Sequence, residues 1–206
     1  MLSRDYPDAY QPLLDRLGLS RGIPFTEHWS AGADCLTLIS DHCLQARPRL
    51  ILECSSGLST LILARCCQIS GVGQVLSLEN GPQYARAVRE DLHNYGLGEF
   101  ARVLDAPLVD TPLGERLFQW YSLRDLPQVT AQFLVIDGPP GYLQAQSRYP
   151  ALPMLMSRLA PGAHIYLDDA ARDDEQELLE EWLARYPGLA CRHIDTERGC
   201  AVVQLP

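Results

Sequence analysis

Long apolar runs are missing from this 206-residue chain, and so is a charged start followed by an apolar core and a cleavage site. The first absence excludes a bilayer-spanning helix, and the second leads us to expect a cytoplasmic protein. Positive charge is scarce: 17 Lys and Arg stand against 26 Asp and Glu, a net charge of −9 and a pI near 4.9. That balance repels phosphate backbones, so neither nucleic acid nor a membrane surface is expected as a partner. Seven cysteines are present, at 35, 43, 54, 66, 67, 191 and 200, but never in Cys-x-x-Cys spacing. Structural zinc therefore has little support, and the thiols read as small buried hydrophobes in a reducing compartment. No Gly-x-Gly-x-x-Gly, internal repeat or low-complexity segment occurs. What is there, 47% hydrophobic and 21% charged, is the composition of a globular chain large enough for a substantial core.

Residues 1–30 carry Pro7, Pro12, Gly18, Gly22 and Pro24 and read as an N-terminal arm with at most one short helix around Gln11 to Leu17. Residues 31–206 read as a single domain. A helix is expected over Ala31 to Ala46, ended by Arg47-Pro48. Leu50-Ile51-Leu52 is the apolar run that a strand buried on both faces requires. It is followed by Glu53, a run of small residues (Cys54-Ser55-Ser56-Gly57) and an uninterrupted apolar helix from Leu58. Strand, small-residue turn and helix form a geometry that opens a ligand pocket, because small residues let a ligand approach the backbone and its unpaired N–H groups.

The pattern repeats. Val75 to Glu79 is a second strand, with Asn80-Gly81-Pro82 opening the next helix. Ala101 to Leu104 is a third, followed by Asp105-Ala106-Pro107. Residues 108–130 have no clear reading, and Phe118, Trp120 and Tyr121 within them suit core or pocket wall. Phe133 to Ile136 is a fourth strand, ending in Asp137-Gly138-Pro139-Pro140-Gly141-Tyr142, followed by a helix near Tyr149 to Leu159. His164 to Leu167 is a fifth, ending in Asp168-Asp169. A helix with Leu178, Leu179 and Trp182 on its apolar face follows, then two short strands around Glu197-Arg198-Gly199. Alternating strands and helices imply a doubly wound, mostly parallel α/β sheet with ligands beyond the carboxyl ends of its strands. Five strand ends carry an acid (Glu53, Glu79, Asp105, Asp137, Asp168), and we expect all five at one rim.

This pattern resembles the class I S-adenosylmethionine-dependent methyltransferases over about residues 29–205. The resemblance implies a Rossmann-like, seven-stranded sheet of order 3-2-1-4-5-7-6 with a C-terminal antiparallel hairpin. It implies that Glu53, Ser55, Gly57 and Ser59 form the cofactor loop, although Ser55 stands where the family usually has glycine. Glu79, with Asn80 beside it, would accept hydrogen bonds from the ribose hydroxyls. Asp105 and Ala106 would lie by the adenine, and Asp137 would face the transferable methyl. The Asp-Gly-Pro-Pro-Gly-Tyr segment is similar to a bacterial O-methyltransferase-like subgroup, so the expected acceptor is a small-molecule or sugar hydroxyl. Asp137, Asp168 and Asp169 resemble the metal triad of catechol-type O-methyltransferases, a ligand set suited to Mg²⁺ or Ca²⁺. Without a metal, Asp137 or His164 is the candidate general base. The alternatives are a non-catalytic S-adenosylmethionine-binding, nucleotide-binding or scaffold protein, and an NAD-dependent oxidoreductase, which the missing glycine motif disfavours. The arm is free to close over the site or to pair two copies as a homodimer.

Overall fold

The computed structural model describes residues 6–19 and 23–206, so Gly22 lies outside the described residues. Among the described residues there are nine strands and six α-helices. The main sheet contains β1 (Leu50–Cys54), β2 (Gln74–Glu79), β3 (Ala101–Asp105), β6 (Ala131–Ile136), β7 (Leu159–Asp168), β8 (Ala190–Ile194) and β9 (Cys200–Gln204). Its order is β3-β2-β1-β6-β7-β9-β8, parallel except at β9 and β8. This is the doubly wound topology expected, closed by the antiparallel hairpin. The chain winds outward from β1 through β2 to β3, then crosses back to lay β6 on the other side of β1. The crevice at that reversal is where such sheets bind ligands.

The pleat sorts the core into two layers. Ile51, Val75, Val103, Phe133 and Tyr166 point to one face. There they meet α1 (Gln11–Leu17), α2 (Ala33–Ala46), α3 (Leu58–Ser70) and α4 (Pro82–Asn94). Leu52, Leu76, Leu134 and Ile165 point to the other, with α5 (Ala151–Leu155) and α6 (Asp173–Arg185). Trp182 of α6 is fully buried, and its Nε1–H donates to the Tyr149 carbonyl at 3.0 Å, which fixes how α6 docks. The arm shares the first core layer. Tyr10, Leu13, Leu14 and Leu17 are buried there, the Tyr10 hydroxyl donates to the Ala31 carbonyl, and Arg65 of α3 donates to the Leu17 carbonyl.

One βα unit is not built as the alternating pattern suggested. Between β3 and β6 the crossover contains no helix but an antiparallel hairpin, β4 (Leu108–Leu113) and β5 (Arg116–Tyr121), turning at Gly114-Glu115. Phe118, Trp120 and Tyr121 are its buried aromatic residues and close the second core layer, while Leu117 and Gln119 face out. The α5 segment is also shorter than expected and passes through a 3-10 turn at Met156–Arg158 straight into the long strand β7. All seven cysteines are free, and all but Cys191 are buried.

Candidate active site

A cavity of about 930 Å³ opens at the reversal point, between the carboxyl ends of β1, β2, β6 and β7. It lies in the size range of small-molecule and cofactor sites. Backbone bonds extend the sheet past its strands and draw the loops together there. The Ser55 N–H donates to the Leu78 carbonyl, Asp137 N–H to the Cys54 carbonyl and Ala106 N–H to the Glu79 carbonyl.

Ser55 and Ser56 form the β1 side of the wall. Ser55 sits at φ +88°, a conformation that costs a residue with a Cβ but is free to glycine. Gly57 and Ser59 line a smaller adjoining space of about 130 Å³ that shares Ser55, Ser56 and Asp137 with the main cavity. The Gly57 N–H donates to the Thr60 hydroxyl, capping the first turn of α3. Glu79 and Asn80 form the β2 side. The Glu79 carboxylate is 5% exposed and already accepts from the Ser56 N–H (2.9 Å), the Ser56 hydroxyl (2.9 Å) and the Gly81 N–H (2.8 Å). These three donors hold it in one orientation as an anionic acceptor with lone pairs to spare.

Of the five strand-end acids, only Glu79 and Asp137 reach the cavity, so the expected common rim is corrected. Glu53 is buried behind it. It points to the α3 face, where its Oε2 accepts from the hydroxyls of Thr60 and Ser77, and burial pushes its carboxyl upward against the pull of those hydroxyls. Asp105, on edge strand β3, points to the α4 face and pairs with Arg89 at 2.9 Å, on the surface away from the cavity. Ala106 is buried beside it. Asp168 is buried and tied to Arg198 at 2.7 Å, while its neighbour Asp169 does line the cavity. His164 is not brought to the cavity either. Four residues before the end of β7, it shares the pleat face of Tyr166 and packs its ring 4.4 Å from His42 of α2, whose Nδ1 lies 2.6 Å from the Tyr166 hydroxyl.

Asp137 stands at the cavity wall one residue past β6. Burial pushes its carboxyl up to about 8, against the pull of Arg148 and with a further push from Asp168 and Asp169. Several other wall residues have no role at the site assigned from sequence. Arg172 and Arg198 come from the start of α6 and the β8–β9 turn. Trp29, Tyr84 and Tyr142, all exposed, stand around the opening, and Trp29 and Tyr142 meet edge to face at 6.2 Å. An aromatic at the mouth of a cavity is visible only once the fold has placed it.

A family model described as a methyltransferase domain matches residues 52–170, more than half of the chain. The chain belongs to the methyltransferase domain family. The matched segment runs from β1 to just past β7 and so contains every strand end that shapes the cavity. Solved structures agree with the fold over essentially the whole chain. An O-methyltransferase from Bacillus cereus in complex with SAH superposes with a TM-score of 0.67 at 16% identity, covering 100% of this chain and 94% of that one. SAH-bound PaMTH1, a methyltransferase from Podospora anserina, gives 0.67 at 15%, covering 98% and 89%. TomG from Streptomyces achromogenes, an O-methyltransferase involved in tomaymycin synthesis and solved with SAM, gives 0.66 at 13%, covering 99% and 92%. No curated protein matches the chain in sequence. No helix among the described residues is long and apolar enough to cross a membrane.

Proposed function

We propose that this methyltransferase uses S-adenosylmethionine to methylate a hydroxyl of a small molecule or sugar, with Asp137 as the general base. One observation carries the reading: in a chain of this family, a rigidly held carboxylate (Glu79) and a proton-hungry one (Asp137) wall the same cavity at the sheet's reversal point. The donor set fits the cofactor. The oriented Glu79 carboxylate suits a pair of vicinal hydroxyls, the small residues Ser55, Ser56 and Gly57 leave the backbone approachable, and Asn80 adds a neutral amide. A wall carrying Glu79, Asp137, Asp169, Asp173, Asp174 and Glu175 against Arg172 and Arg198 favours a sulfonium cation. The SAH or SAM in three of the structural neighbours points the same way.

When bound, S-adenosylmethionine supplies a methyl group on a positively charged sulfur, which departs as the neutral thioether. Asp137 takes the proton that the acceptor hydroxyl gives up as its oxygen lone pair forms the new C–O bond. A carboxyl near 8 is a stronger base than an ordinary carboxylate and matches the weakly acidic hydroxyl better. The chain contains no lysine, so a lysine base is excluded. His164 packs against α2 and does not line the cavity. The test is calorimetric titration with S-adenosylmethionine and SAH, followed by a methyl-transfer screen over hydroxyl, carboxyl and amine acceptors that reads SAH release. Absence of cofactor heat with the folded protein would leave the scaffold reading instead.

A further inference from the structure

The acid cluster that resembles a divalent-metal triad is filled by the chain's own arginines. Asp137, Asp168 and Asp169 each bring a carboxylate oxygen within 4.8 Å of the others, close enough to share one hard cation. Three guanidiniums from separate segments already engage them. Arg148, 3% exposed, donates Nη2 to Asp137 Oδ1 at 3.2 Å and to Asp169 Oδ2 at 2.9 Å, and Nη1 to the Asp168 carbonyl at 2.8 Å. Arg198 donates to Asp168 Oδ2 at 2.7 Å and brings its Nε to 3.1 Å from Asp169 Oδ1. Arg172 Nη2 lies 3.0 Å from Asp169 Oδ2.

Charge decides against a metal. Glu175 lies 3.7 Å from Arg148 and 3.8 Å from Arg172, so four carboxyls face three guanidiniums that stay charged at any working pH. A divalent ion would add two positive charges to a buried group already close to neutral, without a matching anion. Asp168 Oδ1, Asp169 Oδ1 and Glu175 Oε2 keep lone pairs without a hydrogen-bond partner. Each, however, belongs to a carboxylate whose other oxygen faces an arginine, so its charge is already spoken for.

We propose that Arg148 and Arg198 stand where the resemblance puts a divalent ion, so that this cluster binds no metal and Arg148 positions the Asp137 carboxyl at the cavity wall. The role given to Asp137 rests on the methyl-transfer reading, whereas the metal question is answered without it. The protein, stripped with EDTA, is titrated with Mg²⁺, Ca²⁺ and Mn²⁺ at millimolar concentration, and its melting temperature is followed with each ion. Cofactor binding to the stripped protein is measured separately, so failure of the methyltransferase reading shows as missing cofactor heat while the metal result stands.

The expected wild-type result is no saturable metal heat and no shift in melting temperature. Arg198→Gln removes one cation at a partly exposed turn, and the folded variant is expected to gain an ion-dependent rise of roughly 2–4 °C. Should that variant not fold, Arg172→Gln, at a half-exposed position, takes its place. Saturable binding of any of the three ions by the wild type overturns the proposal. So does a folded arginine variant indifferent to all three.

Discussion

Replacing Asp137 by asparagine keeps the side chain's shape and removes its ability to take a proton. The raised carboxyl makes the consequence quantitative. With its pKa at about 8, roughly one molecule in ten carries the ionised form at pH 7 and about one in a hundred at pH 6, because each unit is a factor of ten. Only the ionised form accepts a proton, so wild-type kcat/KM should climb about tenfold per pH unit up to about 8 and then level off. Asp137→Asn should lose about 10²–10⁴ in kcat, the usual worth of a positioned base, and its profile should lose that limb. The assay is SAH release against pH with an acceptor from the screen. Comparison with the asparagine variant removes any ionisation of the acceptor itself. Stability should move the other way. The folded protein holds this proton where the unfolded chain has released it, so stability is highest below the ordinary carboxylate range and falls as pH rises towards 8. Chemical denaturation should show that slope in the difference between wild type and variant, because the raised carboxyls of Glu53 and Glu175 act in both. A wild-type rate that is flat between about pH 6 and 9, or an asparagine variant at full speed, would refute Asp137 as the base.

Glu79→Ala should weaken S-adenosylmethionine binding by about 1.5–3 kcal/mol, the range for hydrogen bonds to a charged group, as read by calorimetry. Ser55→Gly should relieve the positive φ and raise stability by about 1 kcal/mol, a strain of ~1–3 kcal/mol offset in part by the greater freedom of the unfolded chain. Urea unfolding reads it, and a loss of stability would mean that the serine side chain holds the loop. Arg148→Met should cost about 3–5 kcal/mol in the same assay, because it removes the buried partner that the acid cluster of Asp137, Asp169 and Glu175 shares. A loss below about 1 kcal/mol would show that water already neutralises that cluster.

The sheet was legible because a strand buried on both faces must be apolar throughout, and a chain that alternates such strands with helices has few ways to wind. The hairpin between β3 and β6 went unread although its signal was present. Phe118 and Trp120 alternate with Leu117 and Gln119, and Gly114-Glu115 supplies a two-residue turn. The expectation of a crossover helix, natural in a βα series, hid a two-residue period. The strand-end acids expose a different limit. Position in the chain tells which strand end a carboxylate occupies, but the face it takes and the partner waiting there come from other elements. Glu53 and Asp105 share the pleat parity that turns them to the face covered by α1 to α4. There Thr60 of α3 claims one and Arg89 of α4 the other, and neither partner stands out in the sequence.

Five acids at one rim would be a strongly anionic cradle, and an anionic cradle with three clustered aspartates invites a divalent ion. In the folded chain the clustered aspartates are answered by Arg148, Arg172 and Arg198, contributed by the loop before α5, the entry to α6 and the β8–β9 turn. The folded cluster is therefore nearly balanced, and Asp137 faces the cavity with its carboxyl raised by burial and held on one side by a buried guanidinium. The proposed base would depend on Arg148 for its placement and on burial for its strength. Loosening the cavity wall should therefore shift the rising limb of the pH profile towards the ordinary carboxylate range, whereas replacing Arg148 should shift it to higher pH.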